Sequence, residues 1–476
     1  MPVNNTCAEY TAWQERWKLV RDVVSGEEAV KNAGTTYLPR PNGQIDDEYT
    51  RYKQRAHFFD GVGRTAEAFS GNVFSKEPVQ TGDVSDEFAA ILKNVDGAGR
   101  SLRQFSEDVV WDAMQTYQGA ILVDYSPAPE EKSEADTAGN GYRAYMRWYN
   151  AESVINWRRE VRNGRTVLTL VVLKEPYEYS GDDKFTTTAR NRYRALILDE
   201  SGRYYQELYD EADDLKTFQV IEPKLPDGQP LDFIPCFFCP FDVPNKSILL
   251  GLAYESIGLY QKSADYENGL HWTGIPTPVV ENMDAQKDAK GKPIPVPLGG
   301  STFLFFREID ADVRVHYLEF SGEGLHQLAE AIDAGLYRMG LLGARAIGSD
   351  KKGVETAETA RIYRSSENAV LKAFARAMSE QLTRAVRLMA QWNRFTPEMY
   401  ESWSYALNTD YDDLNANAQM ISVILSGRMN NEVPRYSVYK VLKEAEQIPD
   451  DWSFETFAEE LAADNTGAHG PDGEAA

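Results

Sequence analysis

Cysteine and histidine are scarce in this chain, with three and five among 476 residues. Three cysteines are too few for a disulfide framework and suit a reducing compartment. Cys236 and Cys239 form a C-x-x-C, but neither a second such pair nor a nearby pair of histidines supplies the other half of a zinc site. Bracketed by proline on both sides, PCFFCP reads as buried strand rather than the start of a redox-active helix. His57, His271, His316, His326 and His469 all fall outside an H-E-x-x-H pattern, and His326 with Glu330 on one helical face has no further ligands. The Walker A pattern and the G-x-S-x-G nucleophile elbow are absent too, so neither P-loop ATP hydrolysis nor α/β-hydrolase chemistry is expected. Paired carboxylates arise by chance throughout so acidic a chain, and the expectation is a protein without enzymatic activity, metal or cofactor.

Long apolar runs are also missing. A membrane span needs about 18 consecutive apolar residues or more, and none occurs. The opening MPVNNTCAEYTAWQERW lacks the basic region and apolar core of a secretory signal, so synthesis in the cytoplasm is expected. Positive charge is in deficit: 50 Lys and Arg face 74 Asp and Glu, a net charge of −24. That balance argues against a protein that grips nucleic acid through clustered phosphate contacts. The deficit is uneven. Residues 321–394 hold 11 basic against 8 acidic side chains, whereas 395–476 hold 4 against 16, half of the whole excess. A mostly acidic wall repels phosphate, which suits a conduit for DNA and equally suits a soluble acidic protein.

What is present is a composition of ordered domains, 42% hydrophobic and 12% aromatic, in a length that allows two to four of them. The spacing of Trp13, Trp17, Val20 and Val23 predicts an amphipathic helix over 6–24. A second helical pattern runs from Asp46 to about Ser70, with Tyr49, Tyr52, Ala56 and Phe59 on one face. The GVGRTA at Gly61–Ala66 imitates a dinucleotide-binding loop, but it follows helix rather than strand and reads as a glycine break. Helices at about 85–93 and 101–118 lead to a buried strand, GAILVDYS. Residues 127–141 read as an exposed loop. Short β patterns follow (YRAYMRWYN, SVINWRR, RTVLTLVVLKE, TTARNRYRALILDE, GRYYQELYD), with turn residues between them. They predict an antiparallel sandwich or barrel-like sheet set between helical regions, hence an α+β fold. A proline-rich linker, EPKLPDGQPLDFIP, carries the chain onward.

The stretch from Ile248 to Phe395 organises the rest. Its first helix carries Leu249, Leu252, Ile257, Tyr260, Ala264 and Leu270 near helical spacing. An insert rich in Pro, Gly and β-formers follows, then a second helix with Leu325, Leu328, Ile332, Leu336, Met339 and Ala346 on one face. The polar segment GSDKKGVETAETA comes next, and a third helix runs to about Arg394 with Val370, Phe374, Met378, Leu382, Ala385, Met389 and Trp392. Beyond it, acidic short helices are expected at about 414–425, ended by Gly427, at 435–446 after Pro434, and at 453–462, before a disordered tail.

The order of these parts, with phrases such as YLPRPNGQIDDEYTRYKQRAHFF, SLRQFSEDVVWDAMQTYQGAILVDY, YNAESVINWR, FIPCFFCP, GLYQKSADYENGLHWTGIPTPVV and LGARAI with ETAETARI, resembles the portal proteins of tailed bacteriophages over about residues 10–460. The resemblance implies a portal-like α+β fold with long stem and wing helices, a β-rich wing, a small α/β clip and a C-terminal helical crown. Placed on this sequence, residues 1–126 would be the helical part of the wing, 127–247 its β-rich part and linker, 248–272 and 324–347 the stem helices, and 273–323 the clip. Residues 348–358 would be the tunnel loop, 359–395 the long wing helix, 396–462 the acidic crown and 463–476 the tail. The implied function is a ring at one capsid vertex of the virion, with a dodecamer as the expected count. It would be assembled in the host cytoplasm and serve DNA packaging and ejection as head–tail connector. The implied partners are double-stranded DNA held without sequence preference, the terminase large subunit, a head–tail adaptor, and capsid and scaffolding proteins, with no membrane. In the tunnel loop, Lys351 and Lys352 would face phosphate, with Gly348 and Gly353 supplying mobility; two lysines in a polar loop also read as ordinary solvated charge. The alternative is another structural virion component, such as a head–tail adaptor or minor head protein.

Overall fold

Trp17, Val20 and Val23 form the buried stripe of helix α1, Ala8–Val24, as their spacing predicts. The computed structural model describes residues 2–125, 143–180, 185–225, 228–274, 277–281, 290–292, 314–318, 323–343, 357–411, 422–428, 430, 432–444, 447–448 and 452–467. They fold as two compact units, Met1–Thr409 and Asp410–Ala476.

After α2 (Glu27–Asn32), the single helix expected from Asp46 to Ser70 is two helices, α3 (Asp46–Arg55) and α4 (Gly61–Val73). The break falls at 56–60, ahead of the glycines. There the backbone bonds outward: His57 N donates to Ser263 Oγ at 2.9 Å, and Phe59 O accepts from Ser256 Oγ at 3.4 Å. Gly61 and Gly63 lie buried inside α4 instead. A Cβ on Gly63 would stand 3.2 Å from Val24 O, so the missing side chain lets α4 approach the end of α1. The GVGRTA segment is therefore a tightly packed helix start.

Strand β1 (Val79–Thr81) and helix α5 (Asp86–Leu92) precede α6 (Leu102–Thr116). A reciprocal cap begins α6: Gln104 N donates to Ser101 Oγ at 3.3 Å and Ser101 N to Gln104 Oε1 at 3.0 Å. Tyr117 ends it in the left-handed conformation, φ 51°. The next strands are β2 (Gly119–Tyr125), β3 (Ala144–Asn150), β4 (Val154–Arg162), β5 (Arg165–Ser180), β6 (Thr187–Leu198), β7 (Tyr204–Asp210), β8 (Lys216–Ile221) and β9 (Cys236–Phe238). Two antiparallel sheets result. One is three-stranded, β3-β2-β9; the other is an open meander, β4-β5-β6-β7-β8, in which no pairing among the described residues closes a barrel. The segment 127–141, whose sequence reads as an exposed loop, lies outside the described residues.

A buried ionic cluster joins the sheets. Arg194 of β6 donates through Nε to Glu175 Oε1 at 2.8 Å and through Nη1 to Asp124 Oδ2 of β2 at 3.3 Å. Tyr149 OH of β3 also donates to Glu175 Oε1, at 2.5 Å, and Gln206 Nε2 donates to Asp124 Oδ1 at 3.1 Å. Cys236 and Cys239 are buried free thiols at the other edge of β2. Burial pushes the Cys236 thiol up to about 12 and holds Cys239 well above its ordinary value, which suits packing and not redox work.

The chain then forms α7 (Leu250–Gly274), the antiparallel pair β10 (Thr277–Glu281) and β11 (Arg314–Leu318), α8 (Glu323–Leu341) and α9 (Ala357–Trp392). Helix α9 lies on the three-stranded sheet. Phe374 stacks on Tyr117 with centroids 5.2 Å apart, Trp392 Nε1 donates to Lys224 O at 2.8 Å, and Ala144 N donates to Asn393 Oδ1 at 3.1 Å. Helix α10 (Pro397–Ser402) and strand β12 (Ser404–Ala406) come next, and β12 pairs with β1 more than 300 residues earlier. The composition shift at 395–396 is thus no structural boundary: the first unit continues to Thr409.

In the second unit, residues 422–428 are helical and include Gly427, so this helix does not stop before the glycine. Helices α11 (Arg435–Glu444) and α12 (Phe454–Gly467) meet through aromatic rings. Tyr439 lies 5.6 Å from Phe454 and 5.5 Å from Phe457, and its hydroxyl donates to Trp452 O at 2.7 Å. Helix α12 runs past residue 463, where the composition predicts the start of a disordered tail.

Candidate functional site: a two-helix arm

The first half of α7 is apolar because it is core: Leu250, Leu252, Ala253, Leu259, Tyr260 and Ala264 are buried. Polar bonds from the segment 37–59 hold it in place. Gln261 Nε2 donates to Tyr37 O at 2.7 Å, Tyr52 OH to Asp265 Oδ1 at 2.6 Å, and Arg55 Nη1 to Asn268 Oδ1 at 3.2 Å. Burial, and then the Asp265 carboxylate, raise the Tyr52 phenol well above its ordinary range, so it stays a donor. The phrase at Tyr37–Phe59 is therefore the socket of α7.

Helix α8 returns antiparallel along α7. Arg338 donates through Nε and Nη2 to Glu255 Oε1 at 3.0 and 2.6 Å. Two glycines let the helices approach: a Cβ on Gly335 would overlap Leu259 Cδ2, and one on Gly269 would overlap Leu325 Cδ2. The two notches sit towards opposite ends of the pair. Sequence alone does not single out Gly269, because a glycine inside a helical pattern looks like a weakness; only the approach of Leu325 from α8 marks it.

The distal half of this arm is half-buried or exposed in the chain. Leu325, Leu328, Ala331 and Ile332 are only partly covered, and beyond Ala264 no described side chain of α7 is buried. At the distal end Leu270 is 40% and Trp272 50% exposed, and nearer the root Tyr254 and Tyr337 are open as well. Two helices present more than one apolar stripe, and pairing with each other satisfies only one of them. Such an arm is suited to packing against further helices.

Of the residues singled out in the sequence, Gly348, Lys351, Lys352 and Gly353 lie outside the described residues, as does most of the insert between β10 and β11. His326 is within reach of Glu330, 3.5 Å away, on the exposed arm. Among the described residues no group of three or more His, Cys, Asp and Glu could hold a metal ion, and no helix is long and apolar enough to cross a membrane.

Replacing Gly335 by leucine forces α7 and α8 apart at the buried Leu259. Overpacking costs about 1–3 kcal/mol, more than the helix propensity of about 1 kcal/mol that replacing glycine recovers. The expected result is a lower urea midpoint, read by circular dichroism; unchanged stability would show that the notch is not a tight contact.

Residues 248–393, from the arm to the end of α9, match the model of a family described as a domain of unknown function (DUF4055). Among solved structures, the chain is similar to a chain in the virion of a native gene transfer agent particle, with 14% identity and a TM-score of 0.37 over 86% of this chain and 94% of that one. It is also similar to a chain in the neck of an empty gene transfer agent particle, at 13% identity and a TM-score of 0.36 over 82% of this chain and 91% of that one. No curated protein matches.

Proposed function

We propose that this chain is a structural, non-enzymatic component of a phage-like virion, and specifically a portal: a homo-oligomeric ring at one capsid vertex through which double-stranded DNA is packaged and ejected. The observation that carries this reading is the two-helix arm. Its helices are rooted by the 37–59 socket, joined through a small β-paired insert, and left apolar and uncovered distally. A neighbouring copy, turned about the ring axis, would cover that surface through a head-to-tail contact between two different faces. The long α9, packed on the β2 sheet, ties the arm to the α/β body, as a stem is tied to a wing. The acidic composition supports a wall along which DNA slides without sticking, because phosphate contacts need clustered basic side chains. In this reading Lys351 and Lys352 belong to the tunnel loop around DNA and touch phosphate as point charges. The insert docks first the terminase large subunit and then a head–tail adaptor, while capsid and scaffolding proteins meet the outer body.

Native mass measurement and negative-stain imaging of the purified protein test this reading. The expected result is a closed ring of about a dozen copies of the 53.7 kDa chain with a central hole wide enough for duplex DNA. A compact dimer or tetramer at all concentrations would overturn it in favour of an adaptor or minor head protein.

A further inference from the structure

The contacts between α7 and α8 share one antiparallel alignment. Leu259 of α7 lies against Gly335 of α8, and Leu325 of α8 lies against Gly269 of α7. Gly269 follows Leu259 by as many residues as Leu325 precedes Gly335, so both contacts belong to the same offset of one helix along the other. The ion pair between Arg338 and Glu255 falls one helical turn further towards the root, in the same alignment. The Glu255 carboxylate also depends on the first notch: its Oε1 lies 3.3 Å from where a Cβ on Gly335 would stand.

The two notches are reciprocal. Near the root a leucine of α7 fills a glycine of α8; distally a leucine of α8 fills a glycine of α7. Sliding α8 by one turn breaks both. In one direction Leu259 would face Ala331, Leu325 would face Asp265, and Ala334 would replace Arg338 opposite Glu255. In the other, Leu259 would face Met339, Leu325 would face Thr273, and Leu342 would stand opposite Glu255. Each slide sets both leucines against side chains where the observed alignment has none, and each removes the ion pair. Close-packed helices respond to such a mismatch by changing arrangement as a whole and not by yielding gradually.

We propose that these reciprocal glycine–leucine notches are a register lock, which holds α7 and α8 at one offset so that the arm is a single strut whose tip moves only with its root. The distal notch decides the matter. Beyond Ala264 no described side chain of α7 is buried, so the core cannot hold the alignment there and the contact of Gly269 with Leu325 must. The lock lies between two helices of one chain and stands whether or not the chains form a ring.

The test is a distance distribution between spin labels on the full chain, at Tyr254→Cys near the root of α7 and His326→Cys in the distal half of α8. Both positions are exposed. They lie about 20 Å apart along the arm at 1.5 Å per residue. Cys7 is replaced by serine, Cys236 and Cys239 are buried, and dilution with unlabelled chain restricts the reading to distances within one chain. The lock predicts one narrow distance in the otherwise native chain. In Gly269→Leu that distance should be lost, either displaced by about 5 Å, one helical turn, or spread over a broad range. Exchanging knob and hole, Gly269→Leu with Leu325→Gly, should restore a single narrow distance. Two or more distances in the otherwise native chain would overturn the proposal, because the helices would already slide. An unchanged distance in Gly269→Leu would overturn it as well, and so would failure of the exchanged pair to restore one, because Leu325 would then not be what the glycine receives.

Discussion

Replacing Arg194 by methionine is expected to lower the unfolding free energy by about 3–5 kcal/mol, the usual cost of breaking a buried ion pair by removing one partner. The side chains of Arg194, Glu175 and Asp124 are 12%, 10% and 8% exposed. Without the guanidinium, two carboxylates remain between the sheets, and among the described residues Arg147, 3.7 Å away, is the cation left beside Glu175. The loss has a pH signature. Burial alone would push the Glu175 carboxyl up, but the Arg194 charge and hydrogen bond outweigh it and hold the group below its ordinary value of 4.5. A carboxyl depressed in the folded state contributes stability above its unfolded pKa and loses it as pH falls through the folded one. In Arg194→Met only Arg147 and the Tyr149 hydroxyl still oppose burial, so the Glu175 carboxyl rises from its native value and the stability it contributes above its unfolded pKa shrinks. The gap between native and variant proteins should therefore narrow as pH is lowered from 7 to below 4.5. Urea unfolding at a series of pH values measures both effects. A gap that stays constant with pH would mean that the cost is lost packing and not an uncompensated charge.

Trp403→Ala is expected to cost about 3–5 kcal/mol, as for a large aromatic removed from a packed core. Trp403 is fully buried. It stacks on Tyr405 with rings 9° from parallel and meets Phe88 edge-on at 5.8 Å. Its Nε1 has no hydrogen-bond partner among the described residues, so truncation forfeits packing. Gly82 sits directly over it: a Cβ there would come within 2.9 Å of Trp403 Cα. The substitution should therefore loosen the pairing of β1 with β12 first. Hydrogen exchange at Tyr405, whose amide donates to Thr383 Oγ1 at 3.0 Å, should accelerate while the β2 sheet keeps its protection. Equal acceleration in both would mean that 396–409 is part of one global unfolding unit.

Trp403 also shows how one signal in a sequence can mask another. Trp403, Tyr405 and Leu407 alternate as buried positions, the period of a half-buried strand. Acidic composition instead groups this stretch with the C-terminal helices. Charge describes the surface of a segment; alternation describes what it packs against, and here packing decides. Strand β8 is the opposite case. Its first five residues are all exposed, so the alternating Phe218 and Val220 mark no buried face, and hydrogen bonding to β7 makes it a strand.

Helical periodicity in the sequence is sufficient for α1, α5, α6, α7, α8 and α9, and an apolar run bounded by turn residues is sufficient for β2, because a stripe or a run must be buried by something. The same reasoning recognises PCFFCP as buried strand. Tertiary structure alone decides which strands share a sheet, because register and neighbours depend on partners far away in sequence. It alone ends α3 at residue 55, where Ser263 and Ser256 of a distant helix take the hydrogen bonds that a continuing helix would have made. It alone brings Arg194, Glu175 and Asp124 together, three charges that look solvated in the sequence and hold two sheets together in the fold.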